Sequence, residues 1–408
     1  MTYKNTKYTC WFTYLAISSI FALPPMLFVT FRDMYSISYT LLGTLVLINF
    51  LVQMSIDLVF TFFSKYFNIK LSVATMPLLT SAGLLIFALV PWLFPQYAYP
   101  GLITGTIIFS VSAGLSEVLL SPIVAALPSD NPERDMSMLH SLYAYGVLTV
   151  VVISSVFFMV FGRENWMYLA LFFAVLPVIP FIFYCLVPIP EINVSNGQKN
   201  KKTENKKALL LFLMCIFFGS CAEVAMTNWI SGYMEIALGM SKNACDILGL
   251  AMFAILLGIG RSFYAKYGKN IMSVLLFGMT GSFLSYIVAG LSSNVTVAAV
   301  ACAFTGFCTS MLWPGTLIMM EEELPGCGVT AYALMAAGGD FGASVAPQLL
   351  GIIVDKVSAS DFAVKIASVS TLSTEQIGMK TGMLTASIFP FLGVLILTYI
   401  KKYVIKKA

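Results

Sequence analysis

Charged residues are scarce in this chain. Only 10% of its 408 residues are Asp, Glu, Lys or Arg, 59% are hydrophobic, and the mean hydropathy is +0.89. Soluble domains carry about 25% charged residues, so this composition cannot build a water-facing surface and a lipid bilayer must cover most of the protein. The net charge of +4 is small, and no Lys/Arg run interleaves with aromatics, so no nucleic-acid partner is expected.

Groups that carry enzyme or metal chemistry are equally scarce. The chain has one histidine and eight cysteines, none of them in a CxxC pair. No GxSxG, HExxH or P-loop motif is present in the sequence. We therefore predict no enzyme activity, no metal site and no cofactor. The short loops leave no partner-binding domain, which disfavours a receptor or sensor.

Long hydrophobic runs dominate what is there. A spanning helix needs roughly 20 mostly apolar residues. Twelve such segments are predicted, which makes the fold class an all-α membrane protein: 11–30, 40–63, 70–92, 99–127, 137–162, 166–188, 208–234, 244–264, 270–292, 295–320, 327–354 and 382–400.

A polar, lysine-rich stretch at 189–207 separates the first six segments from the last six. The two halves contain similar short sequences at corresponding places: FFSKYFNIK follows the second segment and FYAKYGKNI follows the eighth. Two related six-helix bundles joined by a linker are typical of major facilitator transporters. The predicted domains are therefore 1–188, the linker 189–207, and 208–408.

The distribution of basic residues predicts the orientation. With the N-terminus inside, 17 of the 23 Lys and Arg residues lie on the inner side. The positive-inside rule then places both termini and the linker in the cytoplasm. We expect a multi-pass protein of the cell (plasma or inner) membrane, functioning as a monomer.

Acidic residues inside spanning segments are costly and usually functional. Glu117 lies late in the fourth segment, in SEVLLSPIVAALP, and Glu223 lies mid-way along the seventh, in GSCAEVAMTNWISGY. Asp340 lies among glycines in the eleventh, in AAGGDFGASVAPQLLG. Each is a candidate for substrate binding or cation coupling, and the alternative for each is an ion pair or packing contact between helices.

A second group of intramembrane polar residues is predicted to act in gating or in structure rather than in coupling. Asn49, Gln53 and Asp57 recur at four-residue spacing in the second segment and so share one helix face. Asp57 and Gln53 are predicted to make a gate or folding contact. Arg261, near the inner end of the eighth segment, either snorkels or pairs with an acid.

Other polar and aromatic side chains are candidates for contact with the solute. His140 opens the fifth segment, and it is either a proton relay or a polar contact at the cavity edge. Asn228 follows Glu223 by about one turn. The rings of Tyr143, Trp229 and Trp313 could stack on a sugar ring or anchor the membrane interface. Four intramembrane acids against one Arg favour protons, sodium or an organic cation over a free anion.

The sequence resembles the fucose permease-like branch of the major facilitator superfamily, which includes fucose:proton symporters and sodium-dependent glucose transporters. The resemblance covers nearly the whole chain. Besides the acid-bearing segments quoted above, MLHSLYAYG and WPGTLIMMEEELP carry it. The family's helix 4 glutamate, followed five residues later by proline, matches Glu117 and implies a role in substrate binding and proton coupling. Glu223 matches the helix 7 glutamate of many relatives.

One position departs from that family. Fucose permeases use an aspartate of helix 1 for coupling, whereas FALPPMLFVT in the first segment has no acid. Another carboxylate must then take that role, and Glu223 or Asp340 is the candidate. The expected function is proton- or sodium-coupled uptake of a sugar or similar small polar solute by alternating access, at a midplane site of helices 1, 4, 7 and 10. The alternative is a drug or metabolite exporter.

Overall fold

The computed structural model describes residues 2–130, 132–190, 206–325 and 329–403, and all regular structure in these ranges is helical. Twelve helical stretches are long and apolar enough to cross a membrane, which confirms the all-α membrane fold and the predicted number of spans. The seven described cysteines are free thiols.

Five spans of the N-terminal part match the predicted segments to within about five residues, whereas the first helix begins at Tyr3, well before the predicted start at residue 11. The six spans are α1 (Tyr3–Met26), α2 (Tyr39–Phe63), α3 (Ile69–Leu93), α4 (Ala98–Ala126), α5 (Pro132–Phe161) and α6 (Trp166–Val175 continuing as Val178–Leu186).

The C-terminal part has six further spans. They are α7 (Lys206–Ile236), α8 (Lys242–Ala244, then a π-helix Cys245–Ala251, then Met252–Tyr267), α9 (Ile271–Leu291), α10 (Val295–Thr309 and Leu312–Glu323), α11 (Val329–Ser358) and α12 (Thr374–Ala386 and Ile388–Tyr403).

Proline explains two of the helix ends that hydropathy alone does not predict. α1 ends at Met26 directly after Pro24 and Pro25, and the chain continues as a separate short helix, Phe28–Tyr35. α6 is interrupted at Leu176 and Pro177. Proline has no backbone N–H and its ring clashes with the preceding turn, so the helical hydrogen bonds are lost there.

One helix was missed because it is not apolar along its length. Asp361–Val369 lies between α11 and α12, and Ser360 caps it by accepting a hydrogen bond from the Ala363 N–H at 3.2 Å. Its exposed and buried residues are mixed, with Ala363 buried and Phe362 exposed. A search for continuous hydrophobic runs does not detect such a segment.

The repeated loop sequence has the same structural role in both places. Asn68 caps α3 by accepting the Leu71 N–H at 3.1 Å, and Asn270 caps α9 by accepting the Ser273 N–H at 3.1 Å. An Asn side chain at the N-cap satisfies one of the backbone donors that a helix start leaves unpaired. The sequence repeat is therefore also a repeat of local structure.

The chain forms two compact units. The first is Met1–Ile37 with Ile48–Gly197, and the second is Ser38–Leu47 with Gln198–Ala408. The start of α2 thus clusters with the second unit, where Asp355 of α11 accepts the Tyr39 and Thr40 N–H groups at 3.2 and 2.6 Å. Most of the predicted linker, residues 191–205, lies outside the described residues.

In the second unit, α7 and α11 pack along each other at very short range. A Cβ atom on Gly342 of α11 would collide with the backbone carbonyl of Phe217 on α7. Only a residue without a side chain allows two helix backbones to come this close. The glycines around Asp340 therefore set the position of its helix.

Candidate functional site

Two carboxylates come together in the first unit. Glu117 on α4 and Asp57 on α2 have carboxylate oxygens within 4.8 Å of each other. Asp57 is buried and Glu117 is exposed. From the sequence, Glu117 was predicted to act in coupling and Asp57 in gating or structure. In the structure the two residues are neighbours.

The polar stripe on α2 forms as its spacing predicted. The Gln53 amide donates to Asn49 Oδ1 at 3.1 Å, and the Ser110 hydroxyl of α4 donates to the same oxygen at 2.6 Å. All three side chains are buried. This chain of hydrogen bonds fixes α2 and α4 against each other about two turns from the acid pair.

A glycine brings the two helices close enough for the acids to meet. A Cβ atom on Gly114 of α4 would lie 2.8 Å from Ile56 Cβ and 3.1 Å from the Gln53 carbonyl oxygen. Glu117 is one turn beyond Gly114, and Asp57 directly follows Ile56. The short distance between the helix axes at Gly114 therefore determines the distance between the carboxylates.

Helix α1 contributes Tyr14 to this region. The family resemblance had suggested an aspartate on this helix. Tyr14 is in electrostatic range of Glu117 and Asp57, and its hydroxyl is hydrogen-bonded to Ser121 of α4. The hydroxyls of Ser18 and Ser19, further along this helix, donate to the carbonyls of Tyr14 and Ala16 at 2.9 Å. Tyr14 could not be selected from the sequence, because a tyrosine in an apolar span is common.

The helix 7 acid has a basic partner in the second unit. Glu223 Oε1 lies 3.9 Å from the Arg261 guanidinium of α8, and Arg261 Nε also donates to the Ser310 carbonyl at 3.1 Å. Of the two roles foreseen for Arg261, pairing with an acid is the one observed. Glu223 is half-buried.

Asp340 is buried on α11, and the residue before it packs against an aromatic side chain of α10. The neighbouring Gly339 has no room for a Cβ atom, because the indole of Trp313 lies directly against it. Trp313 is half-buried. The structure thus brings two predicted site residues, Asp340 and Trp313, to the same part of the second unit.

Three other residues predicted to contact the solute make contacts within the protein. Trp229 is 1% exposed and its indole N–H donates to the Pro347 carbonyl at 3.1 Å. The Asn228 amide donates within α7, to the Val224 carbonyl at 3.0 Å. The Tyr143 ring lies edge-on to Phe21, with centroids 5.5 Å apart. Their roles toward a solute stay predictions.

His140 lies in α5, but its side chain is outside the described residues. The proposed relay or cavity contact of this histidine therefore stays a prediction.

The four intramembrane acids differ in their exposure. Asp57 and Asp340 are buried, but Glu223 is half-buried and Glu117 is exposed. Asp246 is a fully buried acid that was not predicted. It lies in the π-helix of α8 and accepts a hydrogen bond from the Ser231 hydroxyl at 2.6 Å. Asp246 stands near the predicted start of its segment, where an acid is usually solvated, so hydropathy gave no reason to select it.

The arrangement supports cation chemistry in the first unit. Two carboxylates within 4.8 Å repel each other when both are ionised. A proton shared between them, or a sodium ion held by their oxygens, removes that repulsion. In the second unit the Arg261 cation already offsets the charge of Glu223.

Solved structures of transporters have the same fold. A bacterial homolog of the human lysosomal transporter Spinster, in an inward-facing and occupied conformation, superposes with a TM-score of 0.74 at 12% identity, covering 99% of this chain and 97% of that one. The D-xylose-proton symporter gives 0.74 at 13% identity, covering 96% and 98%. The E. coli fucose:proton symporter gives 0.56 at 10% identity, covering 96% and 99%.

These identities are low, so the structures show a shared fold and no more. No curated protein sequence matches the chain. The family model described as Major Facilitator Superfamily matches residues 10–347. With its twelve spans, the chain belongs to the Major Facilitator Superfamily and is a multi-pass membrane transporter, not an enzyme.

Proposed function

We propose that this transporter carries out cation-coupled uptake of a sugar or similar small polar solute by alternating access. The observation that carries the proposal is the carboxylate pair Asp57 and Glu117, with Tyr14 beside it. At 4.8 Å, and with an effective dielectric constant near 20, two negative charges repel by on the order of 3 kcal/mol. Binding of a proton or a sodium ion relieves this repulsion.

The exposure of Glu117 supports exchange with the medium. A carboxylate in a spanning helix is costly in contact with lipid, so an exposed one is expected to face water. Asp57 is buried behind it. In this proposal Glu117 takes up and releases the cation, and Asp57 and Tyr14 complete the group that holds it. This assigns the role of the missing helix 1 aspartate to α2 and α4.

The second unit is proposed to contribute mainly to solute binding. Glu223 and Asn228 lie on α7, Asp340 lies on α11, and Trp313 of α10 packs against Gly339, the residue before Asp340. Carboxylate and amide groups that accept and donate hydrogen bonds, next to an indole face, are suited to a polyhydroxylated ring. The D-xylose-proton and fucose:proton symporters with this fold accord with such a solute.

An exporter is the second candidate. The structure of the Spinster homolog matches 99% of this chain with a TM-score of 0.74, as high as that of the xylose symporter. The fold is therefore shared by transporters other than sugar symporters and does not distinguish uptake from export. The acidic first unit leaves an organic cation possible as an exported solute.

Transport in proteoliposomes separates the two candidates. Purified protein is reconstituted with an imposed inward proton or sodium gradient, and a panel of labelled sugars is compared with cationic drugs. Accumulation of a sugar above its external concentration, abolished by collapsing the gradient, is the predicted result. Gradient-driven expulsion of a cationic drug, with no sugar accumulation, would establish the exporter instead.

We further propose that the protein is a monomer of the plasma membrane with both termini in the cytoplasm. In a background without native cysteines, Ser370→Cys, in the exposed segment after Asp361–Val369, should react with an impermeant maleimide added to intact cells. Lys401→Cys, at the exposed end of α12, should react only after the cells are opened. Labelling of Lys401→Cys in intact cells would reverse the orientation.

A further inference from the structure

An apolar groove runs between the ends of α8 and α9 in the second unit. It has a volume of about 420 Å³, within the range of roughly 300–1,000 Å³ typical of ligand sites. Its walls come from the last turns of α8, the first turns of α9 and the middle of α10, and the loop Gly268–Asn270 closes one end.

Close packing on α10 creates this groove. A Cβ atom on Gly260 of α8 would collide with Ser310, and one on Gly278 of α9 would lie 2.5 Å from the Cys308 carbonyl oxygen. Because α8 and α9 each approach α10 at a glycine, α10 forms the floor and the other two helices form the sides.

The sides of the groove are aromatic and open. Phe263 and Tyr267 on α8 are 58% and 57% exposed, and Phe277 on α9 is 56% exposed. Phe307 of α10 lies edge-on to Phe277, with ring centroids 6.4 Å apart. On a membrane helix such a surface faces lipid, and an acyl chain has the shape and polarity to fill the space between the rings.

Positive charge is concentrated at the end of the groove that the loop Gly268–Asn270 closes. Among the described lining residues Lys269 carries the only charge, and Lys266 holds its Nζ 5.2 Å from the centre of the Tyr267 ring. The N-terminus of α9, with its partial positive charge, begins at the same end. Glu322 is in electrostatic range of Tyr264 on the α8 wall, so a headgroup phosphate is expected on the lysine side.

We propose that this groove is a binding site for one anionic phospholipid, with an acyl chain between α8 and α9 and the headgroup phosphate at Lys269 and Lys266. Juxtamembrane lysines attract anionic lipids by about 1 kcal/mol each, which is about fivefold in affinity per lysine. The site lies within the second unit and does not depend on which solute the protein transports.

Native mass spectrometry of the purified chain with phosphatidylglycerol or phosphatidylcholine of identical acyl chains tests the proposal. The wild-type chain should retain phosphatidylglycerol preferentially. The double variant K266Q/K269Q should lose about 25-fold of that preference. The matched control K356Q/K365Q removes the same charge from exposed lysines at and beyond the end of α11 and should keep the preference.

Filling the groove tests the acyl-chain part separately. Val274→Trp on α9 should abolish retention of either lipid at this site, and Ser273→Trp, at an exposed position one residue earlier, serves if the first variant is not monodisperse. A photoactivatable phosphatidylglycerol should crosslink to peptides spanning 263–277 or 307–311. An unchanged preference in K266Q/K269Q, or crosslinks only elsewhere, would overturn the proposal.

Discussion

In the first unit Glu117 and Asp57 approach within 4.8 Å among hydroxyl and amide groups, whereas in the second unit Glu223 faces Arg261 at 3.9 Å. Among the described residues Glu117 makes no ion pair. Two acids this close respond to a proton or a sodium ion because it relieves their mutual repulsion, while an acid beside an arginine already has a compensating charge. The comparison indicates that intramembrane acids of one chain differ in function according to what faces them.

The largest effect is expected where helix backbones touch. Gly342→Ala forces a methyl group into the Phe217 carbonyl of the second unit, and Gly114→Ala meets the side chain of Ile56 in the first. The overlap with the Phe217 carbonyl is deeper than that with Ile56 Cβ, which would lie 2.8 Å away, so we expect losses of about 3 and about 1 kcal/mol. Thermal unfolding in detergent, with Gly258→Ala as a control in open space, measures the difference. Equal losses would show that the two units tolerate overpacking alike.

Neutralising the second-unit acids should weaken solute binding and leave coupling intact. For Glu223→Gln and Asp340→Asn we expect about a tenfold rise in the solute concentration giving half-maximal counterflow, from a lost charged hydrogen bond. Uptake driven by a cation gradient should fall only in parallel. A variant that keeps counterflow and loses gradient-driven uptake would move coupling into the second unit.

Buried hydroxyl groups should matter more when their partner is charged. Ser231→Ala removes a 2.6 Å hydrogen bond to the fully buried Asp246, and we expect a loss of about 2 kcal/mol. Ser110→Ala removes a hydrogen bond of equal length to the neutral Asn49 amide, with an expected loss of about 1 kcal/mol. Unfolding midpoints of the two variants, measured in the same detergent, should rank in that order.

The smallest effect on stability is expected at the ion pair. Arg261 is 40% exposed and lies 3.9 Å from Glu223, so solvent screens the pair and Arg261→Gln should lower stability by less than about 1 kcal/mol. The double variant with Glu223→Gln should be no less stable than either single variant. A loss of several kcal/mol would mean that the pair is more strongly desolvated than its exposure indicates.

Hydropathy was sufficient to predict the twelve spans, because each is a run of apolar residues long enough to cross a bilayer. It did not predict the interruption of α6, or the π-helix of α8, since these depend on local hydrogen bonding and not on average polarity. The four-residue spacing of Asn49, Gln53 and Asp57 did predict a shared face, because spacing within one helix maps directly onto its surface.

Partners on different helices could not be predicted in the same way. The pairing of Asp57 with Glu117 depends on the close approach of α2 and α4 at Gly114, and that of Glu223 with Arg261 depends on how α7 and α8 lie. Tyr14 was missed because its importance comes only from its neighbours. Most intramembrane acids can therefore be identified from the sequence, but the groups that face them cannot.

If cation coupling resides in the first-unit acid pair, Glu117→Gln should separate coupling from solute exchange. The variant is reconstituted into proteoliposomes with Glu164→Gln, an exposed loop acid, as the control. Glu117→Gln keeps the size of the side chain and removes its charge. We predict that it exchanges labelled solute in counterflow, which needs no gradient, but no longer accumulates solute when a proton or sodium gradient is applied. Accumulation at the control rate, with an unchanged dependence on pH and sodium, would show that coupling does not depend on Glu117.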